Sequence, residues 1–464
     1  MAGRIQSSAE PSLSYRTLAG DDEPGTGKIR MHPELAAALQ RLDALINWER
    51  RDRDASMRRG LAPIEALLER LGRPQQALRA VHVTGTKGKG TTSALIAAGL
   101  TAAGLRTGLY SSPHLESIHE RIAVDHRRIG DEDLARLLTR VLDARGDCVG
   151  ANDAGAESTW FDCLTAAALL HFVEQGVDLA VIEVGLGGRL DSTNVVYGEV
   201  CVLTNVELEH TNVLGPTRRH IAAEKAGIVK SGSVLIVGLE PVGERAADDA
   251  AAIVEAHCAR LGVRIVRPVR RGASIQDTNA ALARAALDEL GKRGWPVDGS
   301  ALSPERVARF WLPGRLERRC VGSLSVVLDA AHVAESVRRI LEELRGQPEF
   351  SSRPVVLLAL GRDKDFLSIL KVLSEHADRL ICTTVASGPL VDAGTLAQMA
   401  QGLGMVVETA TEPVAGLARA LQLTRKDGWV LVVGSFYLAG AVRSHTQACH
   451  EPQDRCSRSS PTSS

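Results

Sequence analysis

Residues 81 to 92 read Val-His-Val-Thr-Gly-Thr-Lys-Gly-Lys-Gly-Thr-Thr, so a β-branched run enters a glycine-rich turn and then the helical pattern Ser93 to Leu100. Gly85, Gly88 and Gly90, with Thr86 and Lys87 between them, let backbone N–H groups turn inward against phosphate oxygens. The helix that follows offers its positive dipole end, and Lys89 adds a mobile cation. Thr91 and Thr92 supply hydroxyls of the kind that hold Mg²⁺. That combination is the chemistry of ATP binding. The spacing departs from G-x4-G-K-[ST], because two residues separate Gly85 from Gly88 and Gly90 stands where a hydroxyl residue would follow Lys89. The alternative is a plain glycine-rich turn.

Two further segments carry ionisable groups just after apolar strands. In Leu179-Ala-Val-Ile-Glu-Val-Gly-Leu-Gly-Gly-Arg-Leu-Asp-Ser-Thr-Asn194, Glu183 interrupts a buried-looking strand. An acid at the C-terminal end of such a strand is placed to meet a metal facing a phosphate loop; the alternative is a carboxylate satisfied by Arg189 or by backbone donors. In Thr204-Asn-Val-Glu-Leu-Glu-His-Thr-Asn-Val-Leu-Gly215, His210 is either a metal ligand or a hydrogen-bonded structural histidine. Lys225, in Ile221-Ala-Ala-Glu-Lys-Ala-Gly-Ile-Val-Lys230, reads by itself as a solvated helix cation.

The elements that must position these groups follow from alternation of apolar runs with helical patterns. Strands are expected at Ala80 to Val83, Leu179 to Val184, Val200 to Leu203 and Val234 to Val237, then at Leu324 to Leu328, Val355 to Leu360, Leu380 to Thr384 and Trp429 to Val433. Such a pattern predicts an α/β chain with parallel sheets covered by helices. At 464 residues, two domains are expected. The segment Gly-Trp-Pro-Val-Asp-Gly-Ser after the helical stretch Thr278 to Lys292 puts their boundary near residue 298, giving 31–297 and 298–446. Polar termini, 1–30 and 447–464, read as disordered tails.

Composition narrows the partners. The 55 basic residues nearly cancel the 56 acidic ones and aromatic residues make up only 3%, which argues against a nucleic-acid surface or a membrane-surface field. No apolar stretch is long enough to span a bilayer, and eight cysteines lack metal or disulfide-framework spacing, so reduced thiols and a cytoplasmic location are expected.

Taken with Ser111-Ser-Pro-His-Leu115, Glu120-Arg-Ile122, Leu312-Pro-Gly-Arg-Leu-Glu317 and Asp363-Lys-Asp365, these motifs resemble the folylpolyglutamate synthase/dihydrofolate synthase family of Mur-type ligases, in that family's order and over about residues 33–445. The resemblance implies an N-terminal P-loop-type ATPase domain, a smaller Rossmann-like C-terminal domain, and an active site in the cleft between them. It implies ATP and Mg²⁺ as cofactors, a reduced folate or dihydropteroate and L-glutamate as substrates, and a monomer. Carried over position by position, it assigns Mg²⁺ to Thr91, Ser112, Glu183 and His210, with Lys225 as a lysine carried as a metal-ligating carbamate. Catalytic roles fall on Lys89, His210 and Lys225. Arg315, Asp329 and His332 align with residues that reach the nucleotide, completing the site on domain closure.

Several positions depart from that pattern. Leu328-Asp-Ala-Ala-His-Val-Ala-Glu-Ser336 has Ala330 where a glycine is usual, and Val333-Ala334 where Asn-Pro is usual. Glu209 replaces an aspartate, Asp162 replaces a glutamate, and residues 267–279 are shorter than the corresponding family segment. These differences leave open a Mur-type ligase for another carboxylic acid, or a weakly active nucleotide-binding paralogue.

Overall fold

The computed structural model describes residues 32–49, 60–239, 249–269, 274–308, 312–386 and 388–448; the expected N-terminal tail and residues 449–464 of the C-terminal one lie outside them. Two compact units divide the chain, Met1–Arg309 and Phe310–Ser464. This division falls later than the boundary expected near 298, because residues 299–307 are bonded to the helix Ile275–Lys292 of the first unit. Gly299 N donates to Asp288 Oδ1 at 2.7 Å and Arg284 Nε donates to the Leu302 carbonyl at 2.9 Å.

The first unit is built on β1 (Ala80–Thr84), β2 (Thr107–Tyr110), β3 (Ile122–Val124), β4 (Arg127–Arg128), β5 (Leu179–Glu183), β6 (Gly198–Leu203), β7 (Val234–Val237) and β8 (Arg264–Val266). Their order across the sheet is β4-β3-β2-β5-β1-β6-β7-β8, parallel from β2 to β8, with β3 and β4 antiparallel at one edge. Every residue of β1, β5, β6 and β7 is buried, as two-sided helix cover requires. One face packs on a core containing Leu39, Leu138, Trp160 and Phe172; another core gathers Leu235, Ile221 and Val254. The Lys89–Ala102 helix is buried from Thr92 to Leu100, and Gly99 admits Leu287 of the Ile275–Lys292 helix.

The second unit contains β9 (Glu317–Val321), β10 (Leu324–Leu328), β11 (Val355–Leu358), β12 (Arg379–Cys382), β13 (Val407–Thr409), β14 (Trp429–Val433) and β15 (Gln447–Ala448), in the order β13-β12-β11-β14-β10-β9-β15. The five strands from β13 to β10 are parallel, and β9 runs antiparallel to both its neighbours, β10 and β15. Gln447 and Ala448 thus correct the tail reading at their positions, since they pair with β9. A second correction concerns the thiols. Cys148, Cys163, Cys201, Cys258 and Cys382 are free and buried, whereas Cys320 is disulfide-bonded. Among the described residues no helix is long and apolar enough to cross a membrane.

Candidate active site

The three motif segments leave adjacent strands. β1 lies between β5 and β6, with Val83 opposite Glu183 and Thr84 opposite Leu203, so the glycine turn, Glu183 and the loop after β6 start at one level of the sheet. This is the carboxyl-end position at which open parallel sheets bind ligands.

The glycine turn is fitted to the loop after β6. Gly85 has φ +150°, and a Cβ there would lie 1.8 Å from Thr204 Oγ1. Thr204 Oγ1 donates to the Lys87 carbonyl at 2.6 Å. Asn205 Oδ1 accepts from Thr86 N at 3.1 Å and from Lys87 N at 2.8 Å, and Glu207 N donates to Thr86 Oγ1 at 3.1 Å. Lys87 Nζ is ion-paired to Glu209 at 2.8 Å, so the longer acid found in place of aspartate reaches the turn. Gly88 is left-handed at φ +79° and caps the Lys89–Ala102 helix; a Cβ there would meet Asn279 Oδ1 at 2.4 Å. Thr92 Oγ1 donates to the same oxygen at 3.4 Å.

Lys225 is a correction to the solvated-cation reading. It is 3% exposed, near the end of the Arg218–Ala226 helix, and its Nζ donates to the Gly85 carbonyl at 2.8 Å. Close approach of that helix depends on the Gly-Gly pair after β5, since a Cβ on Gly188 would lie 2.9 Å from the Glu224 carbonyl. Burial, helped by the charges of Lys89 and Lys87 and opposed by Glu209 and Asp191, pushes the Lys225 amine down to about 7. An open pocket is lined by Gly85, Thr86, Lys89, Gly185, Leu186, Gly187, Glu209, His210, Leu214 and Lys225. His210 sits at φ 53° and ψ 39°, its carbonyl accepting from Val213 N and Leu214 N at 2.9 Å.

Glu183 ends β5 beside the first turn of the Lys89–Ala102 helix. It is 3% exposed, accepts from Ser112 N at 3.1 Å, and would be 3.4 Å from a Cβ on Gly90, the residue before Thr91. A backbone donor therefore does satisfy part of this carboxylate, but Arg189 does not take that role; it pairs with Glu224 at 2.8 Å. Among the described residues no group of three or more His, Cys, Asp or Glu gathers as a metal cluster. Of the expected metal set, Glu183 accepts from Ser112 N and stands beside Gly90, the residue before Thr91, while His210 and Lys225 line the pocket. The Thr91 and Ser112 hydroxyls and the Glu183 carboxylate are oxygen donors of the chemistry that suits Mg²⁺.

Other residues hold this frame, though the sequence pattern assigns them no role in the site. Asp191, buried, accepts from Leu186 N at 2.8 Å, Thr193 N at 3.0 Å and Thr193 Oγ1 at 2.5 Å, which shapes the pocket-lining turn after β5. Because Thr193 Oγ1 gives its proton to Asp191, it must accept from His82 Nε2 at 2.9 Å; burial holds that imidazole neutral, its pKa pushed down to about 3. Asp162, the shorter acid, accepts from Thr159 N at 2.8 Å and Ser192 Oγ at 2.6 Å. Arg121, 1% exposed, donates to His114 Nδ1 at 2.8 Å and to both Glu49 oxygens at 2.9 and 2.5 Å, with its guanidinium 4.9 Å from the Trp160 ring centre. His114 belongs to the Ser-Pro-His-Leu motif that also supplies Ser112. These ties join motif residues far apart in sequence, and the motifs themselves were the only available signal.

In the second unit, Asp329 follows β10 and its carboxylate accepts from Leu316 N and Ala331 N, both at 2.7 Å. Ala330 N donates to the Gly314 carbonyl at 3.0 Å with no positive φ, so the missing glycine is not required by this turn. Arg315 stacks 4.3 Å from the Phe436 ring centre, and His332 Nδ1 lies 2.8 Å from the Ala330 carbonyl. Arg315, Asp329 and His332 are thus brought together at one end of β10.

The chain is similar to known proteins in sequence and in fold. Residues 83–240 match the Mur ligase middle domain, and residues 314–436 match the Mur ligase, glutamate ligase domain. The folylpolyglutamate synthase of Lacticaseibacillus casei is 32% identical over 416 residues, covering 82% of this chain and 92% of that one. Among solved structures, E. coli FolC in complex with DHPP and ADP superposes with a TM-score of 0.75 at 28% identity, over 89% of this chain and 97% of that one. The bifunctional folylpolyglutamate synthase/dihydrofolate synthase of Yersinia pestis, complexed with AMPPNP and Mn ion, gives 0.74 at 27%, over 89% and 97%. At 32% identity over most of both chains, with the fold of such relatives, the chain belongs to the folylpolyglutamate synthase/dihydrofolate synthase family of Mur-type ligases.

Proposed function

We propose that this chain is an ATP-dependent ligase that joins L-glutamate to the carboxylate of a reduced folate or of dihydropteroate, giving ADP and phosphate. The observation that carries the reading is the pocket where Lys89, His210 and Lys225 meet beside the glycine turn. A carboxylate and an amine do not condense usefully in water, so the γ-phosphoryl group first moves to a carboxylate oxygen, forming an acyl phosphate. Glutamate's amine then attacks the acyl carbon, the C–O bond to phosphate breaks, and the amine gives up a proton. Negative charge gathers on the transferring oxygens in both steps, so positioned cations supply the stabilisation.

Lys89 takes the role of cation for the transferring group, and backbone N–H groups of the first turn of its helix, Gly90 and Thr91 among them, hold phosphate oxygens. Thr91, Ser112, Glu183 and His210 would hold Mg²⁺. When bound, that ion neutralises phosphate charge and polarises the phosphoryl group. Lys225, buried and with its amine pushed toward neutrality, fits the expected carbamate, because only the unprotonated amine reacts with carbon dioxide. Arg315, Asp329 and His332 are proposed nucleotide contacts. A cytoplasmic monomer completes the reading.

The test is phosphate release from ATP and Mg²⁺ with tetrahydrofolate or dihydropteroate, with and without L-glutamate. Turnover that requires both acid and amine supports the reading. Stimulation only by an unrelated carboxylic acid, or by none while ATP binds, overturns it.

A further inference from the structure

The loop after β6 does more than deliver His210. Asn205 Oδ1 accepts from two consecutive turn amides, Thr86 N at 3.1 Å and Lys87 N at 2.8 Å, and the Asn205 carbonyl accepts from Thr86 N at 3.1 Å as well. Thr204 Oγ1 closes the other side by donating to the Lys87 carbonyl at 2.6 Å. Turn residues 85–87 are therefore laid against residues 204–207, with Gly85 and Thr204 too close to admit a Cβ. In phosphate loops of the usual spacing, backbone amides of the turn itself cradle phosphate oxygens. Here two of them are directed to a side chain from the neighbouring strand's loop.

We infer that Asn205 is a positioning residue for the phosphate turn: it fixes the path of Thr86 and Lys87, and so aims the first turn of the Lys89–Ala102 helix at the polyphosphate. That helix makes its first internal bond from Thr92 N to the Gly88 carbonyl at 2.9 Å, so the peptide planes before Thr92 are oriented by where the turn delivers Gly88. Chemistry explains the residue type. A carboxamide oxygen accepts two N–H donors without charge, whereas a carboxylate in the same place would accept them equally but repel the phosphates nearby.

The inference rests on the phosphate-turn reading of Gly85 to Thr92, and the experiment separates the two. Asn205→Leu and Asn205→Asp are compared with the full-length chain by amide hydrogen exchange, by thermal melting, and by KM and kcat for each substrate. Asn205→Leu is expected to speed exchange at Lys87 at least tenfold, and less at Thr86, whose amide keeps the Asn205 carbonyl, and to raise KM for Mg-ATP about tenfold, with KM for glutamate unchanged. Asn205→Asp is expected to keep slow exchange at both amides yet still raise KM for Mg-ATP, an effect that added salt reduces. Unchanged exchange in the leucine variant, or equal loss toward all substrates, overturns the positioning role. Absence of Mg-ATP binding by the unsubstituted protein overturns the phosphate-turn reading instead, and leaves the exchange comparison to decide the role of Asn205.

Discussion

The Lys225 ammonium nitrogen sits 2.8 Å from the Gly85 carbonyl oxygen, joining the end of the Arg218–Ala226 helix to the turn between β1 and the Lys89–Ala102 helix. The bond explains how a lysine is tolerated at 3% exposure, and why the turn cannot shift without moving that helix.

The buried amine predicts a pH dependence. Its folded pKa is about 7 against 10.5 for the free side chain, so between these values the unfolded chain holds a proton that the folded chain has lost. The cost of burying the charge is complete below pH 7 and is relieved as pH rises toward 10.5. Relative to Lys225→Met, and in carbon dioxide-free buffer that keeps the lysine a free amine, the unsubstituted protein should gain roughly 1 kcal/mol of stability per pH unit between pH 7.5 and 9.5. Urea melts of both proteins across that range check it; a constant difference between them removes the assignment.

Removing the turn's mobile cation should affect turnover rather than folding. Lys89→Ala is expected to lower kcat by about 100- to 1000-fold or more while leaving the melting temperature near its starting value. Steady-state phosphate release and a thermal melt measure the two sides, and near-normal turnover would refute the phosphate role.

Gly85→Ala is expected to destabilise the protein by about 2 kcal/mol or more, since its methyl group would stand 1.8 Å from Thr204 Oγ1. Replacing Thr204 with alanine in the same chain removes that oxygen and should recover part of the loss. Denaturant melts of the single and double variants provide the check, and a double variant no more stable than the single one contradicts the steric account.

Glu183→Gln retains an oxygen for the Ser112 amide but removes the negative charge. The Mg²⁺ concentration for half-maximal turnover should rise about 10-fold or more, with folding nearly unchanged. A magnesium titration identical to that of the unsubstituted protein would return Glu183 to a purely structural role.

Much of the frame is legible in the sequence because it depends on local pattern. The runs at Ala80, Leu179, Val200 and Val234 become β1, β5, β6 and β7, and those at Leu324, Val355, Leu380 and Trp429 become β10, β11, β12 and β14. Strand β2 escapes that reading because Thr107-Gly-Leu-Tyr is four residues long and interrupted by a glycine that makes room for Phe172. Lys225 escapes for another reason: helical spacing cannot say which face a tertiary neighbour covers. Asn205 and Thr86 are 119 positions apart, and only the pairing of β1 with β6 brings them together. The motifs thus marked segments that the sheet sets side by side, while the contacts between those segments emerged only from the strand pairing.

The pairing of Val83 with Glu183 acts as a ruler for the whole centre. Side chains along a strand face alternate sides, so inserting or deleting a single residue within β5 would throw the acid to the opposite surface even if every motif letter stayed intact. Loops at the outer strands carry no such constraint, whereas the count of residues in β5 fixes the side of the sheet on which its acid stands.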